Sequence, residues 1–468
     1  MTIIYQVIST VIVSYVTLTL GIIYTWPSST LLLFSSENTT LNRPMTETEV
    51  SLFGSISFIS AMISMLCSGY LLDKLGRKYS CILFSLLQVL AWVIVAVCYK
   101  VEAIIASVIL SGLSGCMMLI VPVYISEFCQ ESIRGTMTSA AMVFYGIGIL
   151  VSYLMGGYLA YDTMNYSCLS MTVLGVVILM LMKESPMHLM SKGLEKEASR
   201  VIAYYRGVKI TSKIVEEEMQ KLRKALNPEL DDLTPEVQKL QPSLENKPKI
   251  SVWKFFKKSQ STRLALMVSI VLNTSGVFQG LMVVQVYAVP MFAEAVPTMS
   301  PVICSVILAV VIVVSGFVGA FLVDWAGRRS LMIYASIASG VNCLVLGTQI
   351  HLHWGPHWMT ALFIYLFVFT YTCGAGTVPS VVVAEVFLPE IKSLASMIAV
   401  EWGLIFGFVA VFLFNPLVEA IGLGPVFYIF MVACFLSAIF CFFFLPETKG
   451  LTVDVIQNLF AKKCTQEH

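Results

Sequence analysis

Apolar runs near 20 residues long recur along almost the whole chain, each bounded by charge, proline or glycine, and a run of that length is what a helix needs to cross a bilayer. Six are predicted in the first part, at about 7–32, 50–72, 79–99, 104–126, 136–160 and 167–183, and six more near 264–292, 301–323, 331–351, 358–384, 394–419 and 424–445. The fold class expected is an all-α polytopic membrane protein with twelve transmembrane helices in two six-helix halves, 1–184 and 263–446, followed by a tail from 447 to 468. The first run has no basic residues ahead of it and is too long for a cleavable leader, so it is read as a retained helix.

The polar segment between the halves, 185–262, holds Glu216-Glu217-Glu218 and the prolines from Pro228 to Pro248, and it cannot span. Apolar residues at helical spacing predict short amphipathic helices over Leu194 to Tyr205 and Ile214 to Leu226, lying under the membrane domain. The proline-rich stretch near 227–248 reads as a flexible linker.

Composition agrees with the pattern. With 57% hydrophobic and 12% charged residues over 468 positions and a mean hydropathy of +0.84, the chain is too apolar for a soluble enzyme. A formal net charge of +1 argues against a nucleic-acid partner. Placing both termini in the cytoplasm leaves only Arg43 and Lys100, of 29 basic residues, on the outer side. The same orientation puts the acceptor triplet Asn38-Thr39-Thr40 in the first outer loop, a candidate for glycosylation at Asn38. Most of the 12 cysteines lie inside apolar runs and read as packing residues. His351, His353 and His357 gather in one outer loop without cysteine or carboxylate partners, so no metal site and no cofactor are predicted.

An internal repeat defines the organisation. Asp73-Lys74-Leu75-Gly76-Arg77-Lys78 after the second span returns as Asp324-Trp325-Ala326-Gly327-Arg328-Arg329 after the eighth, 251 residues later. Glu127 and Arg134 return as Glu385 and Lys392, 258 residues later. Glu184-Ser185-Pro186 after span six is answered by Pro446-Glu447-Thr448-Lys449-Gly450 after span twelve. Three signals in one order mean duplicated halves, as in carriers whose halves face each other across a central cavity. Such a carrier must open and close one mouth reversibly, and Asp73, Arg77, Glu127, Arg134, Asp324, Arg328, Glu385 and Lys392 are candidates for an inner gate.

These residues resemble the sugar porter branch of the major facilitator superfamily over essentially the full chain. The likeness extends to Pro122-x-Tyr124-x-x-Glu127, to Arg134-Gly135 and to Pro446 through Gly450. Trp26-Pro27-Ser28 looks most like insect facilitated trehalose and glucose transporters. The resemblance implies an inner salt-bridge network at the eight charged positions and a sugar site on spans seven and ten.

The sugar-binding pattern departs from the family. Met142 stands where span five normally carries Gln, and Gly276, Val277 and Met282 replace amides of span seven. Pro379-Ser380 and Gly403-Leu404 replace the tryptophan-bearing pairs of spans ten and eleven. The remaining substrate-binding candidates are Gln279, Gln285, Tyr287, Pro379, Glu401, Trp402 and Asn415. Glu401 falls well inside the hydrocarbon region, where a carboxyl normally faces a wet cavity or the bundle interior. The expected function is a monomeric plasma-membrane carrier, not an enzyme, moving a small sugar or polyol by alternating access. Facilitated diffusion is favoured because Tyr5 to Phe34 contains no acidic residue for proton coupling. The alternatives are a proton symporter using Glu401 and a transport-inactive sensor.

Overall fold

The computed structural model describes residues 2–226, 260–387, 389–451 and 453–466. The linker expected over 227–248 lies outside the described residues, as does the side chain of Lys392. The described chain is helical, with no strand among the described residues.

Twelve helices are long and apolar enough to cross a membrane. Those of the first half are Ile3–Ser35, Glu47–Leu75, Arg77–Val97, Val101–Phe128, Glu131–Tyr158 and Tyr161–Met180. Those of the second are Ser261–Val286, Pro301–Ala326, Arg328–Leu352, His357–Val386, Leu394–Ile421 and Leu423–Phe444. They are called spans one to twelve. With an even number of crossings both termini lie on one side, called here the terminal side, and the opposite face is the far side.

Several spans run past the lengths the apolar runs predict, because polar residues at their ends continue the helix. Span two begins at Glu47 on a reciprocal cap, in which the Thr46 hydroxyl accepts from the Glu49 N–H and the Glu49 carboxylate accepts from the Thr46 N–H. Other spans are interrupted. Span four tightens to a 3₁₀ turn over Leu113–Cys116. Span seven, expected as one run to 292, is three pieces, Gln260–Phe278, Leu281–Val286 and Ala288–Ala295. Its first break is at Gly280, whose φ of 101° is open to glycine at little cost. Span ten breaks after Cys373 and restarts at Val378, with Pro379 in the first turn, where its missing N–H costs no helical bond.

Inside lipid a hydroxyl needs an internal acceptor, and many find one on their own helix: Thr25 donates to Gly21, Ser55 to Ser51 and Thr370 to Leu366 carbonyls. Close helix approach comes from glycine. A Cβ added at Gly148 in span five would stand 2.1 Å from the Leu18 carbonyl oxygen of span one, and one added at Gly21 would stand 2.3 Å from the Tyr145 carbonyl.

Three short helices between the halves, Pro186–Ser191, Glu195–Arg206 and Lys213–Leu226, include the two amphipathic segments foreseen from spacing. They dock on the terminal side of the first half. Arg206 donates to the Phe128 carbonyl at the end of span four (3.0 Å) and to Glu218 (2.6 Å). Gln6 donates to the Tyr205 carbonyl while its own amide oxygen accepts from the Gln130 N–H, and the Tyr205 ring stacks on Phe128 at 4.8 Å. The tail helix Val453–Gln466 performs the matching task in the second half, where Gln457 donates to the Val386 carbonyl (2.7 Å) at the end of span ten. Each half thus closes an orphan helix-end carbonyl with an amphipathic helix that follows it in sequence.

The halves meet on the far side. The Tyr153 hydroxyl of span five donates to the Gln285 carbonyl of span seven (2.8 Å), the Val289 N–H donates to the Ser28 hydroxyl (3.0 Å), and Gly54 and Gly157 lie directly against Tyr287 and Val302. Toward the terminal side the same spans two, five and eight present Gly69, Gly135 and Gly316, where an added Cβ meets nothing within 4 Å.

Candidate functional site

Two ion-pair clusters on the terminal side are built alike from the repeated motifs. In the first half Arg77 opens span three and directs Nη2 and Nε to Glu127 Oε1 at 2.7 and 3.0 Å, with Nη1 on the Leu72 carbonyl. The Ser185 hydroxyl holds the other Glu127 oxygen. In the second half Arg328 opens span nine and donates to Glu385 at 2.7 and 3.2 Å and to the Val323 carbonyl at 3.1 Å, while the Thr448 hydroxyl takes the remaining demand of Glu385 at 2.7 Å.

A second carboxylate completes each cluster. Glu184 Oε1 accepts from the Arg77 and Lys78 N–H groups, and Glu447 accepts from those of Arg328 and Arg329. These are the orphan donors at the starts of spans three and nine, where a negative charge also meets the positive end of the helix dipole. Gly76 and Gly327, with φ of 88° and 84°, let the carboxylates come so close, since an added Cβ would lie 2.6 Å from Glu184 Oε2 and 2.7 Å from Glu447 Oε2. The sequence marks Glu184 and Glu447 as a repeated pair, but only the geometry gives them a task. Beside the first cluster, burial of His188 holds its imidazole below the usual histidine range.

In this conformation neither cluster cross-links the halves. Each arginine–glutamate pair is closed within one half. Among the described residues Asp73 and Arg134 are exposed and form no ion pair, and Asp324 pairs with Arg328 alone, four residues on, at 3.2 Å. Asn38 is exposed on the far side.

Between the halves lies a cavity of about 230 Å³. Tyr24 and Thr25 of span one, Phe58, Ala61 and Met65 of span two, Gly115 and Met118 of span four and Tyr145 of span five form one wall. Met282, Gln285 and Val286 of span seven and Val400 and Leu404 of span eleven form the other. The polar groups offered are the Gln285 amide, the hydroxyls of Tyr24 and Tyr145, and the Thr25 hydroxyl as an acceptor only, since its proton goes to the Gly21 carbonyl. Tyr24 and Tyr145 were missed by sequence reasoning, because a tyrosine in an apolar run gives no sign of which way it points.

Of the substrate candidates, Gln285 alone lines this cavity. Tyr287 is spent on packing, its hydroxyl on the Val411 carbonyl (3.2 Å) and its ring stacked on Phe414 at 5.0 Å. Trp402 is 42% exposed and lines an apolar groove open toward lipid with Phe278, Tyr428 and Phe440, on the opposite side of span eleven from Val400 and Leu404. Pro379 is buried as a helix starter, and Asn415 is half-buried near the far end of span eleven. Gln279, at the break of span seven, is wholly buried and both of its amide atoms lack a partner. Glu401 is 8% exposed and neither carboxyl oxygen has a partner, although its neighbours Val400 and Leu404 face the cavity. Among the described residues no cluster of three or more side chains is placed to hold a metal ion.

Twelve spans, a duplicated arginine–glutamate cluster and a cavity walled by both halves define a membrane carrier class, and the comparisons give the family. The family model described as "Sugar (and other) transporter" matches residues 2–460, and the chain belongs to that family. It is 26% identical over 473 residues to the facilitated trehalose transporter Tret1 of Drosophila yakuba, covering 97% of this chain and 51% of that protein. It is 24% identical over 461 residues to Tret1 of Polypedilum vanderplanki, covering 97% and 87%. The chain thus spans about half the length of the first of these relatives. The inward open structure of the Escherichia coli xylose transporter XylE superposes with a TM-score of 0.78 at 18% identity, covering 97% of this chain and 99% of that one. Its partially occluded inward open form gives 0.76 at 20% identity, covering 95% and 98%. These likenesses show the fold: the protein is a multi-pass membrane protein of two six-helix halves.

Proposed function

We propose that the protein is a carrier that moves a small neutral solute, a sugar or polyol, down its gradient by alternating access. The observation that carries this reading is the cavity between two duplicated halves that touch on the far side and stand apart on the terminal side. A solute held there reaches the other face only if the far-side contacts open and the terminal side closes, a two-state exchange within a few kcal/mol. Sugars are supported by the relatives' stated substrates, trehalose and xylose. The clusters around Arg77 and Arg328 act as rigid corners on which each half turns, and Asp73 and Arg134 stand ready to meet the opposite half when the terminal side closes. We place the carrier in the plasma membrane as a monomer with cytoplasmic termini, which puts Asn38 outside for glycosylation.

A second reading, proton-coupled transport, is favoured by one observation, the buried and unpartnered carboxyl of Glu401. A carboxylate inside the hydrocarbon region without a partner is costly, which makes Glu401 the candidate for carrying a proton. Uptake into proteoliposomes with and without an inward proton gradient separates the two. Facilitated diffusion predicts equilibration that the gradient does not change and a Glu401→Gln variant with unaltered pH dependence. Accumulation above equilibrium that is lost in Glu401→Gln would establish the symporter, and no uptake by well-folded protein would leave only the transport-inactive sensor.

A further inference from the structure

The cavity itself narrows the chemistry of the solute, and the narrowing rests on the carrier reading above. We propose that the site selects a poorly hydroxylated, uncharged solute of monosaccharide size or smaller, one with few hydrogen-bonding groups and an otherwise apolar surface, over the fully hydroxylated sugars that the relatives' names suggest.

Size is the first argument. At about 230 Å³ the cavity is small beside the roughly 300–1,000 Å³ of pockets for drug-sized ligands, which favours one small ring over two linked rings. Charge is the second. Among the described residues no carboxylate, histidine, lysine or arginine lines it, and an unpaired charge taken out of water into such a place is not tolerated.

The distribution of polar groups is the third. Tyr24, Tyr145 and Gln285 carry the donors that the cavity can use, with the Thr25 hydroxyl as a further acceptor. They come from spans one, five and seven. Facing the rest of the space are Phe58, Met65, Met118, Met282, Val400 and Leu404. A hydroxyl on a solute that meets thioether or hydrocarbon loses its water partners and gains none, whereas a C–H face there gains dispersion and hydrophobic contact. A pyranose with hydroxyls on every edge therefore leaves several unpaired, and each one removed from the apolar side improves the fit. Methionines suit such a role because they adapt to the outline of a small apolar face.

The test is uptake by the purified full chain in proteoliposomes, with D-glucose, 6-deoxy-D-glucose, trehalose and glucosamine compared at equal concentration. The expected order is 6-deoxy-D-glucose above D-glucose by about tenfold or more, with trehalose and glucosamine at background. A Met282→Asn variant, which adds an amide to the apolar wall, is expected to shrink the preference for the deoxy sugar to about twofold. Its melting temperature and elution profile in detergent check that it folds. If it does not fold, the order of solutes in the unsubstituted protein decides alone. Uptake of D-glucose or trehalose equal to or above that of 6-deoxy-D-glucose overturns the inference and leaves the carrier reading in place. Failure of every solute to enter, from folded protein, overturns the carrier reading and the inference with it.

Discussion

Replacing Gly148 with leucine is expected to leave no monodisperse protein in detergent extracts. The Cβ of any side chain there would stand 2.1 Å from the Leu18 carbonyl oxygen and 3.1 Å from the Gly21 Cα. Neither obstacle is the movable end of a side chain, so relief requires spans one and five to separate along the crossing that carries Tyr24 and Tyr145 into the cavity. Ordinary overpacking of a core costs about 1–3 kcal/mol, and a backbone collision at a helix crossing exceeds it. Size-exclusion elution of a fluorescent fusion reads the outcome. Gly135→Ala, where an added Cβ has nothing within 4 Å, is the matched control and should elute as the parent does. A normal profile for Gly148→Leu would mean that the two spans are not in backbone contact.

The second large effect is expected from Arg77→Ala, with loss of uptake and a lowered melting temperature. Arg77 and Glu127 are 15% and 14% exposed, and removing the arginine leaves a largely buried carboxylate answered only by the Ser185 hydroxyl. Breaking such a pair from one side costs about 3–5 kcal/mol. The equivalent Arg328→Ala should cost less, because Glu385 is 28% exposed, twice the exposure of Glu127, and water reaches it more readily. Arg77→Lys should recover only part, since a point charge cannot serve Glu127 and the Leu72 carbonyl together. Equal and small losses in both alanine variants, measured by thermal unfolding in one detergent, would show that the clusters are ornamental.

The elements that were legible in the sequence are those governed by length and by charge. A run of apolar residues near 20 long has one stable form in lipid, so the spans could be placed, and the repeated Asp-x-x-Gly-Arg motif marked both clusters before any geometry was known. The interruptions were not legible. Gly280 and Gly374 stand among other glycines that stay helical, and only the packing of span seven against Phe430 and of span ten against Ala335 picks them out. Side-chain direction was the larger gap. A soluble helix announces its buried face by a polar stripe on the other, but in a bilayer both faces are apolar. Nothing in the order of residues distinguished Trp402, which looks toward lipid, from Val400 and Leu404, which look into the cavity. The partners of the charged residues were ambiguous for a similar reason. Spacing puts Arg77 and Glu127 on one face of the membrane, and only the fold shows that they meet within a half.

The central claim is that the two halves exchange contacts on the far side for contacts on the terminal side during each cycle. It is tested most directly by tying the far side shut. Gly157 of span five and Val302 of span eight meet there, and a Cβ built on Gly157 falls 2.9 Å from the Val302 Cβ. A disulfide needs roughly 3.5–4.5 Å between Cβ atoms, so slight relaxation admits one while an open far side would not. In a Cys67→Ser background, Gly157→Cys combined with Val302→Cys should cross-link under mild oxidation. Uptake should then fall to that of empty liposomes and return to the parent rate on reduction. Uptake by the fully cross-linked protein at the rate of its reduced form would contradict the account.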